Sequence, residues 1–172
     1  ADLIGKHLKE EQVDHVVFSY HGLPESNIKK ADSHGVCKFG SCCEQISDKN
    51  RLCYRAQCIG TTKNVVAALG WSEERYSIAF QSRFGRQAWI QPYLDDHLEA
   101  LLASGCKKIA VVTPSFVSDC LETIHEIGIE YREQFMEGGG EVFQLVPNLN
   151  DEPVWFSSVY EISQRHLKLN QE

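Results

Sequence analysis

The chain has 172 residues, with 17 Lys+Arg against 24 Asp+Glu and a formal net charge of −7. That length suits about one domain, and 42% hydrophobic residues provide a packed core and exclude a disordered chain. The acidic balance argues against a nucleic-acid binder, and no apolar run reaches the ~18 residues of a membrane-spanning helix.

In chain order, Leu3, Ile4 and Leu8 predict a short amphipathic helix within residues 2–12. Val16 to Ser19 read as a buried strand, with His21-Gly22 just past its end. Residues 25–52 are polar and aperiodic and read as an irregular insert. Thr61 to Leu69 predicts a helix stopped by Gly70. Tyr76 to Phe80 is a strand ending at Gln81-Ser82-Arg83. Pro92 to Ser104 is a helix with Leu94, Leu98, Leu101 and Leu102 on one face and Gly105 as its stop. Lys107 to Thr113 is a buried strand. Ser118 or Asp119 then caps a helix to about Met136, which the triple glycine at 138–140 ends. Glu141 to Val146 is a strand, and Glu152 to Leu167 a last amphipathic helix. Strands alternating with helices imply the α/β class: a Rossmann-like, open, parallel four-stranded sheet with helices on both faces. Right-handed crossovers bring the strands' carboxyl ends to one edge, where such folds bind ligands. The G-x-G-x-x-G and P-loop fingerprints are both absent.

Three strand ends carry candidate site residues: Ser19-Tyr20-His21-Gly22-Leu23-Pro24, Gln81-Ser82-Arg83-Phe84-Gly85 with Trp89, and Pro114 to Glu122 with Phe116. Glu122, Glu126 and Glu130 stand at i, i+4 and i+8, with Asp119 three residues before. On a 3.6-residue period they form one acidic stripe. Carboxylates repeated at i, i+4 disfavour a helix, so the stripe suggests proton handling or the guiding of a divalent cation; the plainer reading is a solvated helix face.

Seven cysteines are present, five of them between Cys37 and Cys58. No secretion signal is visible, so the expected compartment is the cytoplasm, and clustered reduced thiols favour a metal or iron–sulfur site over disulfides. The chain opens at Ala1 and its single Met is Met136, so a piece of a longer polypeptide is expected.

From about Asp14 to about Val159 the chain resembles the C-terminal half of ferrochelatase, the enzyme that inserts Fe(II) into protoporphyrin IX. The resemblance is carried by Phe18 to Pro24, by Phe80 to Gly85 with Trp89, by Ser118-Asp119-Cys120-Leu121-Glu122-Thr123, and by Leu149-Asn150-Asp151. It implies one domain of a two-domain chelatase fold, spanning residues 1–172, with the N-terminal partner domain absent. It also implies roles for individual residues. His21 would be the active-site histidine and Glu122 its partner carboxylate across the porphyrin cleft. Asp119, Glu126 and Glu130 would continue an acidic metal path. Trp89 and Phe116 would line the porphyrin pocket, with Ser82, Arg83 and Tyr20 beside it. Cys120 would be a small packed residue where many relatives have His. The isolated chain would have little or no chelatase activity, and peripheral membrane contact is left open.

The insert at about 31–58 departs from cluster-free bacterial relatives. Because some family members carry a [2Fe–2S] cluster, the resemblance implies one here, with Zn as the competing occupant. Four ligands are then needed. The expected set is Cys37, Cys43, Cys53 and Cys58, with Cys42 as the alternative to Cys43, since adjacent side chains tend to point apart. Two other functions fit the same residues: a cobalt or nickel chelatase of a related tetrapyrrole, and a non-catalytic iron–sulfur sensor or interaction module.

Overall fold

The structure is a computed structural model that describes residues 1–9 and 12–169. Its sheet is parallel throughout, in the order β2-β1-β3-β4. The strands are β1 (His15–His21), β2 (Tyr76–Gln81), β3 (Lys108–Val112) and β4 (Val142–Leu145). The helices are α1 (Asp2–His7), α2 (Glu25–Ala31), α3 (Tyr54–Leu69), α4 (Leu94–Ala103), α5 (Arg132–Glu137) and α6 (Pro153–Leu169). A π-helix, Glu122–Tyr131, runs into α5. Among the described residues, no helix is long and apolar enough to cross a membrane.

Side-chain alternation along β1 builds two cores. Val16, Phe18 and Tyr20 pack with Ile4, Ile28, Cys58 and Val66 from α1, α2 and α3. Val17 faces the other way, with Leu94, Leu98, Ile127 and Phe135 from α4, the π-helix and α5. Both faces are covered, as expected for a parallel sheet.

Several elements differ from expectation. α1 stops at His7, with residues 10 and 11 of its expected span outside the described residues. The start of the insert is helical as α2, where Ile28 is the one buried side chain. α3 begins seven residues before the expected Thr61, because its early buried positions, Ala56 and Cys58, are small and carry little periodic signal. Neither Ser118 nor Asp119 caps the next helix. That helix starts at Glu122 without a side-chain cap, and its first ten residues are π rather than α. Gly70 stops α3 in the left-handed conformation, φ 67°, as its position predicts.

Two histidines lock the amino edge of the sheet. His15 Nδ1 lies 3.2 Å from the Glu74 carbonyl, so it carries the hydrogen, and Nε2 accepts the Ser77 hydroxyl at 2.8 Å. Ser77 Oγ in turn accepts from His97 Nε2 at 2.7 Å. Burial holds both imidazoles below the ordinary histidine range, and for His15 the neighbouring His97 and Arg75 charges act the same way while the Glu74 carbonyl opposes them. With lowered folded pKa values, the unfolded chain binds more protons just below its own value of ~6.5. Stability is therefore fully present above that pH and falls as the pH drops through it towards the folded values. Thermal melts at pH 7.5 and 5.5 should show a lower Tm at the acid value, with a smaller difference in His97→Asn.

Candidate active site

His21 is the last residue of β1 and pairs with Gln81 of β2. Its ring lies 6.4 Å from Trp89 and 6.2 Å from Phe116, centroid to centroid. Nδ1 is 2.6 Å from the Gly22 carbonyl. A carbonyl only accepts, so Nδ1 carries the hydrogen and Nε2 presents a lone pair. The main chain of His21 is held at both ends: its N–H donates to Ser115 Oγ at 3.2 Å, and its carbonyl accepts from Tyr54 Oη at 2.7 Å.

Gly22 makes this turn possible. A Cβ there would stand 2.9 Å from the Gln81 carbonyl oxygen and 3.1 Å from Trp89. Gly22→Ala should therefore cost about 1–3 kcal/mol, read as a fall in Tm of about 3–10 °C, and should displace Trp89.

Glu122 opens the π-helix at the same edge. The Cys120 thiol and its own backbone N–H hold its carboxyl below the usual range, against an opposing effect of desolvation.

Glu126 is clamped by the end of β2. It accepts from Ser82 N at 2.9 Å, Ser82 Oγ at 2.7 Å and Gln81 Nε2 at 3.4 Å. Ser82 adopts φ 63° to do so, a conformation that costs a non-glycine residue ~1–3 kcal/mol. Gln81 is fully buried and ties the clamp inward, accepting from Ser19 Oγ at 2.7 Å and donating to the Glu122 carbonyl at 3.3 Å.

The edge thus brings together His21, Trp89, Phe116 and Glu122, with Ser82 and Glu126 adjoining. Other candidates stand elsewhere. The alternation of β1 sends Tyr20 to the α3 face, where it is 2% exposed and bonds Thr62 Oγ1 at 2.8 Å. Arg83 is drawn to the start of α4, 3.2 Å from Asp95 and stacked over Tyr93 at 4.2 Å. Asp119 fastens the loop before α6, accepting from Asn148 Nδ2 at 3.0 Å and Asn150 Nδ2 at 2.7 Å. Glu130 pairs with His125 at 3.4 Å, an i, i+5 contact that suits the wide π turn. The glutamates therefore do not share one stripe. Gln81 and Ser115 lie inside the candidate strand-end segments without an expected role of their own, and Tyr54 lies outside them with no motif to mark it.

In the insert, Cys37, Cys42 and Cys53 line a cavity of about 110 Å3 together with Leu23, Ile28 and Asn50. Cys43 Sγ lies 3.7 Å from Cys42 Sγ. Metal–sulfur bonds of ~2.3 Å in a tetrahedron imply a sulfur–sulfur edge of ~3.8 Å, so the two adjacent thiols point together, contrary to expectation. Burial opposes charge on Cys42, but the Lys38 N–H at 3.2 Å and bonds from Cys43 and Cys37 bring its pKa below the ordinary value. Burial raises Cys37, pushes Cys43 up to about 11 and pushes Cys58 up to about 12. Cys58 is 3% exposed in the core with Val16 and Phe18, and neither it nor the equally buried Cys43 lines the cavity. The donor type, thiol, is that of a thiolate-bound group. Among the described residues, however, no three His, Cys, Asp or Glu side chains stand in coordinating geometry.

A ferrochelatase family model matches residues 1–167. Ferrochelatases of Coxiella burnetii (strain Dugway 5J108-111), Ectopseudomonas mendocina (strain ymp) and Azotobacter vinelandii (strain DJ / ATCC BAA-1303) are 43%, 45% and 45% identical to it. The matches cover 97%, 91% and 92% of this chain and 48%, 46% and 47% of those proteins. The chain thus spans about half the length of the curated relatives it matches. Among solved structures, the CbiX protein of Marinobacter aquaeolei VT8, named for cobalamin (vitamin B12) biosynthesis, aligns with TM-score 0.46 and 13% identity. That alignment covers 90% of this chain and 97% of that one. On the family model and the relatives, this chain belongs to the ferrochelatase family.

Proposed function

We propose that this chain is the catalytic half of an enzyme that inserts Fe(II) into protoporphyrin IX. The observation that carries the reading is the His21 ring 6.4 Å from Trp89 and 6.2 Å from Phe116, with Glu122 opening the π-helix at the same sheet edge.

Metallation must remove two pyrrole protons and admit a metal ion that has shed water. An imidazole acceptor and a carboxylate are suited to those tasks. His21 would take a pyrrole proton at Nε2 or touch the arriving ion, and Glu122 would relay the proton or ease the ion's loss of water. Glu126, fixed by Ser82, would extend the acidic route behind Glu122. Trp89 and Phe116 would hold the macrocycle and favour a bent form that exposes its nitrogens.

The other wall of the cleft would come from an N-terminal half of the same enzyme. α6 supports this, because Val154, Phe156, Val159, Tyr160 and Ile162 leave it with an uncovered apolar surface. Alone, the chain should have little or no activity.

The insert would hold a [2Fe–2S] cluster, with Zn as the competing occupant, through Cys37, Cys42, Cys43 and Cys53. Such a cluster supplies one-electron redox chemistry, and no step of the metallation is routed through it.

A protoporphyrin titration of the two-domain polypeptide, followed by fluorescence, tests the reading. Binding is expected, weakened about 10-fold in Trp89→Ala, equivalent to about 1.4 kcal/mol. A polypeptide that binds no porphyrin overturns the proposal.

A further inference from the structure

Gln81 is the last residue of β2 and lies beside His21 in the sheet. It is 1% exposed, yet its side chain carries two donor hydrogens and an acceptor oxygen. A buried amide is tolerated when its hydrogen bonds are made. Its partners fix which way it points. The Glu122 carbonyl and the Glu126 carboxylate only accept, so the NH2 group faces them, at 3.3 and 3.4 Å. The amide oxygen then faces Ser19 Oγ, which donates to it at 2.7 Å. Both hydrogens and the oxygen are engaged.

The main chain and the next residue complete the joint. The Gln81 carbonyl accepts from Gly22 N at 2.8 Å, directly after His21. Ser82 N and Oγ hold the Glu126 carboxylate at 2.9 and 2.7 Å. The end of β2 therefore grips the turn after β1 on one side and two glutamates of the π-helix on the other. That helix starts at Glu122 with no side-chain cap. The Gln81 amide ties its first residue to the sheet.

We propose that Gln81 is a positioning residue: its buried amide sets where Glu122 stands relative to His21. The consequence for activity rests on the reading of His21 and Glu122 as the pair that metallates porphyrin; the joint between β2 and the π-helix does not.

Gln81→Met is close in shape and removes every hydrogen bond of the side chain. In this chain, hydrogen exchange read by mass spectrometry tests the joint. Main-chain amides of residues 122–131 should exchange at least about fivefold faster in Gln81→Met, the worth of about one hydrogen bond, with β1 and β3 unchanged. Ser19→Ala frees the amide oxygen and leaves both donors in place. It should speed the same segment about threefold.

In the two-domain polypeptide, Gln81→Met should lower kcat about 10- to 100-fold with KM for porphyrin unchanged, the size expected for a misplaced catalytic group. In a Glu122→Gln background the same substitution should cost less than about threefold, because Gln81 acts through Glu122. A merely structural role would add its full loss to that of Glu122→Gln. Should Gln81→Met fail to fold, seen as faster exchange throughout the chain, Ser19→Ala carries the same two tests. Three results overturn the proposal: unchanged exchange across residues 122–131, a kcat equal to that of the parent, or a loss that adds in full to that of Glu122→Gln. A two-domain polypeptide that never metallates porphyrin would overturn the chelatase reading alone, since the exchange response is read without it.

Discussion

His21→Ala in the two-domain polypeptide is expected to lower porphyrin metallation by about 10²- to 10⁴-fold, the range for removal of a positioned acid or base. Protoporphyrin affinity should stay within about threefold, because Trp89 and Phe116 remain. Glu122→Gln should produce a loss of the same order. If the two groups serve one proton transfer, the double variant should lose little more than either single one, since residues acting as a unit are strongly non-additive. Steady-state rates for the two single variants and the double variant check this. The pH dependence adds an independent handle. The Cys120 thiol is the largest influence keeping the Glu122 carboxyl below its ordinary range. Cys120→Ala should therefore raise that pKa, and the acid limb of kcat/KM should move to higher pH.

Cys53→Ser is expected to reduce bound metal from a full complement to near zero, by metal and acid-labile sulfide analysis of anaerobically prepared protein. Cys42→Ser should do the same, because Cys42 carries the lowered thiol pKa and lies 3.7 Å from Cys43. Cys58→Ala should keep its metal, because Cys58 packs in the core with Val16 and Phe18, whereas Cys43, equally buried, lies 3.7 Å from Cys42. Metal binding to a site absent from the unfolded chain adds directly to folding stability, so Cys53→Ser should also melt earlier than the loaded parent. Metal lost in Cys58→Ala and retained in Cys42→Ser would assign the ligands the other way.

Most of the sheet was legible because its strands are continuous apolar runs, such as Val16 to Phe18 and Ile109 to Val112, as burial on both faces requires. The rim followed from topology: parallel strands put His21, Gln81 and the segment after Val112 at one edge. The same alternation puts Tyr20 on one face with Val16 and Phe18. The π-helix was hidden. Its sequence fits a 3.6-residue period as well as a wider one, and only the His125–Glu130 contact and the turn of Glu126 towards Ser82 reveal the difference. α2 was hidden because its single buried residue, Ile28, makes no period. The expectation that Cys42 and Cys43 point apart holds for extended chain, but they lie in a turn, where neighbouring side chains can converge. Tyr54 carries no motif; its bond to the His21 carbonyl comes from where the first turn of α3 meets β1.

The most direct measurement is anaerobic Fe(II) insertion into protoporphyrin IX, followed by the loss of porphyrin fluorescence, with the two-domain polypeptide, its His21→Ala variant and this chain alone. The account predicts metallation by the first and little or none by the other two. A His21→Ala enzyme as fast as its parent, or a two-domain polypeptide that binds protoporphyrin and leaves it metal-free, would contradict it.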